Sequence, residues 1–250
     1  MNEETLKKMK QMKLRGMARS FQTSLESGKA SDCTADELLS ILIESEWDER
    51  YNRKLERTIK GARFRYKASV EQINFDSDRQ VEKNQVLRIA DCDFIKRKEN
   101  VFVTGSTGVG KSFIASALGH QACSLGFKVL YQQSTKLFAR MKLAKADGSY
   151  LKEIAKIEKQ DLLIIDDFGL QPLDTQSRGT LMEIIEDRHG RASTMVTSQV
   201  PVNKWYEIIG EQTVADAILD RIVHNAHRLE LKGESMRKSR NQLQTEIIEN

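Results

Sequence analysis

The 250-residue chain is poor in proline and cysteine and carries no long apolar run. No proline precedes Pro172, and only Pro201 follows it, so nothing forces a break in the helices of the first part of the chain. Three cysteines, Cys33, Cys92 and Cys123, are scattered and odd in number. They form no CxxC or Cys/His cluster, which argues against a disulfide scaffold or a zinc site and for a reducing compartment. The apolar runs stop at four or five residues, as in Leu162 to Ile165, far short of a membrane span. The opening MNEETLKKMK has no apolar core of a secretory signal. His120, His189, His224 and His227 show no metal-ligand spacing with carboxylates. A cytoplasmic location without a membrane partner is the expectation. What remains is 39% hydrophobic and 30% charged, a polar globular balance sufficient for one large domain, or for one domain plus a small one.

The charge is uneven. Of 40 basic and 36 acidic residues, residues 1–70 hold 15 and 11, leaving 25 of each in the remainder. The excess lies between Arg50 and Lys67, where eight cations (Arg50, Arg53, Lys54, Arg57, Lys60, Arg63, Arg65 and Lys67) face Glu56 alone, a net +7. Such a run is either a polyanion contact or a solvated helix face. Tyr51, Phe64 and Tyr66 lie among these cations and can stack on bases or pack internally. Contact with nucleic-acid phosphates is the preferred reading, carried by Arg53, Lys54, Arg57, Lys60, Arg63, Arg65 and Lys67.

The periodicity divides the chain near residue 70. Leu6, Met9, Leu14, Met17, Phe21 and Leu25 recur at helical steps on one side of a helix, which Ser27 and Gly28 end. Thr34, followed by Asp36 and Glu37, is the expected cap of the next helix. On that helix Leu39, Ile43, Trp47, Tyr51 and Leu55 form an i,i+4 ladder, read as core between helices. Beyond Gln72, short apolar segments alternate with helical ones. Strands are expected at Val101–Val103, Lys128–Tyr131, Leu162–Ile165, Thr194–Thr197 and Arg228–Leu231. Strands alternating with helices predict an α/β fold, a parallel sheet covered by helices on both faces. The predicted domains are a helical one over 1–70 and an α/β one over 71–250.

The strongest local signal is Gly105-Ser106-Thr107-Gly108-Val109-Gly110-Lys111-Ser112, a GxxxxGK[ST] loop between a predicted strand and a predicted helix. Its glycines let successive N–H groups face one phosphate chain, and the helix N-terminus adds its dipole. Lys111 can reach the β- and γ-phosphates of ATP, and Ser112 can ligate Mg²⁺. In Leu162 to Asp167 an apolar strand ends in two carboxylates at the edge of the sheet where ligands bind. Asp166 is read as the Mg²⁺ residue and Asp167 as the one that polarises the attacking water. A second acid points to hydrolysis rather than transfer to a bound acceptor. The segment Val196 to Gln199 places a polar group near the γ-phosphate, Gln199 first and Ser198 second. Arg221 either reaches a neighbouring subunit's γ-phosphate or pairs internally with Asp220 or Asp216.

Taken together, GSTGVGKS, LLIIDDFGL, VTSQVPVNKWYE, AILDRIVHNAHRLELKGESMRKSR and the basic RTIKGARFRYKASVEQINFD resemble the IstB family of transposition helper ATPases. These belong to the AAA+ class and are similar to the helicase loader DnaC. The resemblance implies a P-loop AAA+ sheet and an ATP site at Lys111, Ser112, Asp166 and Asp167. It also implies that Gln199 stands at the sensor-1 position and that Arg221 is the box VII arginine. Two departures stand out. The acidic pair is Asp-Asp where most AAA+ proteins have Asp-Glu, which implies slow hydrolysis. The chain also continues only briefly past the last strand, leaving no room for a full helical lid, and whether Arg237 replaces the sensor-2 arginine stays open.

The resemblance further implies oligomerisation on double-stranded DNA through ATP-bridged interfaces, target-site selection and stimulation of a partner transposase. The residues themselves point only to ATP hydrolysis and polyanion contact. A DnaC-like replicative helicase loader is the alternative, and a nucleotide-dependent scaffold of low turnover a third. A small-molecule P-loop kinase fits poorly, because no acceptor-binding segment is evident.

Overall fold

The computed structural model describes residues 2–28, 33–75, 82–233 and 235, so Arg237 lies outside the described residues. The chain divides into two compact units, Met1–Arg57 and Thr58–Asn250.

The first unit contains α1 (Asn2–Gln11), α2 (Arg15–Glu26) and most of α3 (Ala35–Ala62). The apolar spacing of residues 6–25 reads as one helix, but Lys13 sits at φ 62° and divides it into two. The turn is closed by the Leu14 N–H, which donates to the Met9 carbonyl at 2.9 Å. Thr34 caps α3 as its sequence predicts. Its backbone N–H donates to Glu37 Oε2 at 2.8 Å, and the Glu37 N–H donates back to Thr34 Oγ1 at 3.3 Å.

The expected core ladder on α3 is not core. Leu39, Ile43, Trp47 and Tyr51 are exposed, Trp47 to 72%. The face of α3 that packs carries Leu42 and Glu46 instead, both buried. The reason lies at the start of α2, whose unpaired N–H groups need an acceptor. Glu46 Oε2 accepts from Gly16 N at 2.8 Å and from Met17 N at 3.3 Å, and Oε1 accepts from Arg50 at 2.7 Å. Burial opposes ionisation of Glu46, but the hydrogen bonds from Arg50, Met17 and Gly16 outweigh it and hold the carboxyl below its ordinary range. A buried carboxylate on a helix N-terminus thus fixes which stripe of α3 turns inward.

The second unit enters through a 3-10 turn at Val70–Gln72 and the short helices α4 (Lys83–Ala90) and α5 (Asp93–Lys96). Five strands follow: β1 (Asn100–Gly105), β2 (Val129–Gln133), β3 (Leu162–Phe168), β4 (Ser193–Ser198) and β5 (Ala226–Leu231). Four of them extend a predicted strand at one or both ends, and β2 starts one residue after the predicted Lys128 and ends two residues beyond Tyr131. They form one parallel sheet in the order β2-β3-β4-β1-β5, with Val101 opposite Met195, Leu163 opposite Thr194 and Val103 opposite Leu229. The helices α6 (Lys111–Ser124), α7 (Ser134–Ala146), α8 (Tyr150–Glu158), α9 (Thr175–Arg188), α10 (Trp205–Ile209) and α11 (Gln212–Val223) complete the unit. Burial on both faces explains why Leu162 to Ile165 is wholly apolar: each residue is at most 1% exposed.

Trp205 anchors one face. Its ring meets Phe102 and Phe168 edge-on at 5.0 and 4.9 Å, and its indole N–H donates to the Val200 carbonyl at 2.9 Å. That packing fixes the segment after β4 against the middle of β1 and the end of β3. Among the described residues no helix is long and apolar enough to cross a membrane.

Candidate nucleotide site

The loop between β1 and α6 is built on glycines in the left-handed region, Gly108 at φ 86° and Gly110 at φ 99°. Only glycine adopts this conformation without strain, and it turns the loop N–H groups toward one point at the start of α6. Lys111, 5% exposed, folds its ammonium back onto the loop, donating to the Gly105 carbonyl at 2.8 Å and the Ser106 carbonyl at 2.7 Å. Its neighbour Ser112 donates through Oγ to Asp166 Oδ1 at 2.8 Å. The two halves of the predicted site therefore meet.

Asp166, at the end of β3, is fully buried. Oδ1 also accepts from Thr197 Oγ1 at 2.5 Å, and Oδ2 accepts from the Tyr131 hydroxyl. Burial first, and then the Asp166 charge, push the Tyr131 phenol far above its ordinary range, so it stays protonated and donates. Asp167 lies in a different geometry. A register shift between Ile165 and Phe168 interrupts the β3–β4 ladder, and Asp167 sits there at φ 58°. Its N–H donates to Thr197 Oγ1 at 3.0 Å, and its Oδ2 accepts from Gln133 Nε2 at 3.3 Å. The bulge turns Asp167 into the cavity while Asp166 stays beneath it. A non-glycine residue held in the left-handed region at such a place is characteristic of functional sites.

These groups open onto a cavity of about 550 Å³, lined by Thr107, Gly108, Gly110, Lys111, Ser112, Asp167 and Gln199. Arg65, Tyr66, Ile73 and Asn74 line the same cavity, which the sequence reading did not foresee. Their only sequence signal was the apolar and aromatic content of a segment otherwise read as basic. Gln199 touches the loop rather than the carboxylates: its Oε1 accepts from Thr107 Oγ1 at 2.7 Å. Ser198, the second choice, donates to the Phe168 carbonyl at 2.7 Å, is fully buried and does not line the cavity. The polar residue of β4 that meets both acids is Thr197, which sequence reasoning passed over.

Arg221 lines a separate, smaller cavity with Arg188 and His189. Its Nε pairs with Glu186 Oε2 at 2.7 Å and Nη1 donates to the Ala217 carbonyl at 2.8 Å. The internal partner is therefore Glu186 of α9, not Asp220 or Asp216. Asp220 pairs instead with His224 at 2.9 Å.

The basic run is less uniform than its composition. Arg53 pairs with Glu49 at 3.5 Å and Arg57 Nε bonds the Arg53 carbonyl at 3.2 Å. Lys54, Lys60, Arg63 and Lys67 are exposed. Arg65 turns toward Asp166 and Asp167, and Phe64 packs against His120 with ring centroids 4.3 Å apart.

The residues present fit Mg²⁺ and ATP. Ser112 Oγ and Asp166 supply hard oxygen donors, and Mg²⁺ takes few protein ligands, its other places being water and phosphate oxygens. Among the described residues no group of three or more His, Cys, Asp or Glu could hold a metal ion. The model for IstB-like ATP binding proteins matches residues 7–244. The chain belongs to the IstB family. A Sinorhizobium fredii protein named as an insertion-sequence ATP-binding protein is 45% identical over 235 residues, 94% of this chain and 96% of its own length. A Pseudomonas aeruginosa protein named for the insertion sequence IS21 is 29% identical over 229 residues, 92% of this chain and 86% of its own. Among solved structures, DnaI aligns with a TM-score of 0.59 at 20% identity, covering 71% of this chain and 94% of that one. The DnaC helicase loader aligns with a TM-score of 0.54 at 18% identity, covering 67% and 98%. These likenesses establish the P-loop AAA+ fold of this IstB-family ATP-binding protein.

Proposed function

We propose that this IstB-family chain is an Mg²⁺-dependent ATPase that assists transposition: it assembles on duplex DNA through ATP-bridged interfaces, selects target sites and stimulates a partner transposase. The observation that carries the ATPase reading is the convergence of Ser112, Asp166 and Thr197 beneath the loop, with Asp167 raised into the cavity by the bulge. Lys111 would exchange the loop carbonyls for phosphate oxygens when nucleotide enters, a like-for-like replacement of its hydrogen bonds. Ser112 and Asp166 would hold Mg²⁺, which would neutralise charge at the phosphates, and Asp167 would orient the attacking water. Gln199, tied to Thr107, reports on the loop. Arg221 completes a neighbour's site by leaving Glu186.

The relatives' names, which place ATP-binding proteins in insertion sequences, support the transposition reading over a helicase loader. The likeness to DnaI and DnaC concerns the fold and does not favour loading. The test is ATP turnover with and without duplex DNA, followed by strand transfer with the cognate transposase. Turnover that rises with DNA, and transfer that requires a chain with Lys111 intact, are expected. Absence of ATP turnover under all conditions would overturn the proposal.

A further inference from the structure

Arg65 belongs by sequence to the exposed basic run, yet its guanidinium points inward. Nη1 lies 2.9 Å from Asp167 Oδ2 and 3.3 Å from Asp166 Oδ2. Both flanking residues are anchored on the ATPase unit. Phe64 stacks on His120 and meets Tyr131 edge-on at 6.2 Å, and the Tyr66 ring lies 6.2 Å from Phe113 while its carbonyl bonds His120 at 3.2 Å. A Cβ on Gly119 would fall 2.4 Å from Phe64 Cε1, so the seat for Phe64 exists only because residue 119 has no side chain. The anchored flanks leave Arg65 little choice of direction.

Two adjacent carboxylates repel each other and require a cation. Arg65 supplies it from within the chain. A divalent ion arriving at the same carboxylates weakens their attraction for the guanidinium and repels it directly. The side chain of Arg65 is 38% exposed, so the pair is open to solvent and to exchange.

We propose that Arg65 is an intramolecular counter-cation of the nucleotide site, displaced from Asp166 and Asp167 when metal-bound nucleotide enters. This rests on the nucleotide reading of the site. Displacement has two consequences. It frees Asp167 Oδ2 to orient water, and it returns a positive charge to the surface that carries Arg63 and Lys67. ATP binding would thereby alter the polyanion-contacting run through a single side chain.

The test compares the parent chain with Arg65→Gln, which removes the charge, and Arg65→Lys, which keeps it. Affinity for a fluorescent ADP analogue is measured with Mg²⁺ and with chelator. In Arg65→Gln the tightening by Mg²⁺ should grow roughly tenfold, the scale of a partly exposed charge-assisted hydrogen bond, with metal-free affinity nearly unchanged. Arg65→Lys should stay near the parent. A second measurement needs no variant: trypsin cleavage after Arg65, mapped by mass spectrometry, should rise with Mg²⁺ and a non-hydrolysable ATP analogue and not with the analogue and chelator. Equal weakening of nucleotide binding with and without Mg²⁺ in Arg65→Gln would make Arg65 a phosphate ligand and overturn the proposal. So would unchanged metal dependence together with metal-independent cleavage, which would leave a static ion pair. A parent chain that bound no nucleotide in either condition would sink the nucleotide reading itself, and this proposal with it.

Discussion

Thr197 Oγ1 donates to Asp166 Oδ1 at 2.5 Å and accepts from the Asp167 backbone N–H at 3.0 Å, so one buried hydroxyl sets the geometry of both acids. Thr197→Val keeps the shape and removes both bonds. It should cost about 1–3 kcal/mol of stability, the usual penalty for an unsatisfied buried polar group. It should also lower kcat for ATP far more than it raises KM, because Asp167 loses its orientation while the loop is untouched. Thr197→Ser should recover most of both. Thermal unfolding and steady-state ATPase assays decide this, and a Val variant with parental turnover would show that the bulge alone positions Asp167.

The fold was largely legible because its signals are local. Five short apolar segments spaced by helical stretches gave five parallel strands, and the fully apolar Leu162–Ile165 became a central strand. The place of the loop from Gly105 to Ser112, between β1 and α6, was legible because its glycines at that spacing mark a sharp strand-to-helix turn. What escaped depends on contacts distant in sequence. Thr197 was hidden beside Ser198 and Gln199 because the β-bulge that selects it lies in the neighbouring strand. Arg65 was hidden within a run of cations because its acids lie about a hundred positions away. The ladder Leu39, Ile43, Trp47, Tyr51 and Leu55 reads as core because periodicity marks a stripe but not its partner, and its first four members are exposed. Glu46, buried and accepting from the start of α2, is what chose the other stripe.

The loop lysine and the second acid should separate binding from chemistry. Lys111→Ala should abolish tight nucleotide binding, because the charge proposed to meet the β- and γ-phosphates is gone. Asp167→Asn is the better probe of the acid than alanine, since asparagine tolerates φ 58° at little cost. It should bind ATP with near-parental affinity and hydrolyse it at least 10²-fold more slowly, on the scale of a lost general base. Equilibrium binding together with single-turnover hydrolysis measures both, and parental hydrolysis by Asp167→Asn would remove it from the reaction.

Arg221 has an internal partner, and that sharpens its test. If it serves a neighbouring subunit, Glu186→Gln should loosen its resting pair at 2.7 Å without lowering turnover, whereas Arg221→Ala should keep nucleotide affinity and lose DNA-stimulated hydrolysis. Oligomers mixing Arg221→Ala with Asp167→Asn should recover part of the activity, at interfaces that pair an intact Asp167 with an intact Arg221. Oligomers shown by mass to be mixed yet still inactive would confine Arg221 to its ion pair with Glu186.

Duplex DNA contact should rest on the exposed cations of the basic run rather than on those with acidic partners. Lys60, Arg63 and Lys67 are exposed, while Arg53 and Arg65 face carboxylates. Each phosphate neutralised releases counterions, so log affinity should fall with log salt by about 0.9 per contact. Replacing Lys60 and Lys67 with glutamine and Arg63 with asparagine, which accepts its φ of 61°, removes three charges without straining the chain. The slope should flatten by roughly 2–3 units, equally on unrelated sequences, because phosphate contacts carry no base information. Nucleotide affinity should survive in a variant changed only at Lys60 and Arg63, which do not line the nucleotide cavity, whereas Lys67 does, so any loss on adding its replacement is read separately. Arg53→Gln alone should move the slope by less than one unit, because Glu49 already holds part of its charge. Fluorescence anisotropy on two unrelated duplexes across a salt series measures all of this. An unchanged slope in the triple variant would make the run a solvated helix face. DNA would then have to engage the ATPase unit elsewhere, with the cations of α7, Lys136, Arg140, Lys142 and Lys145, the next to replace.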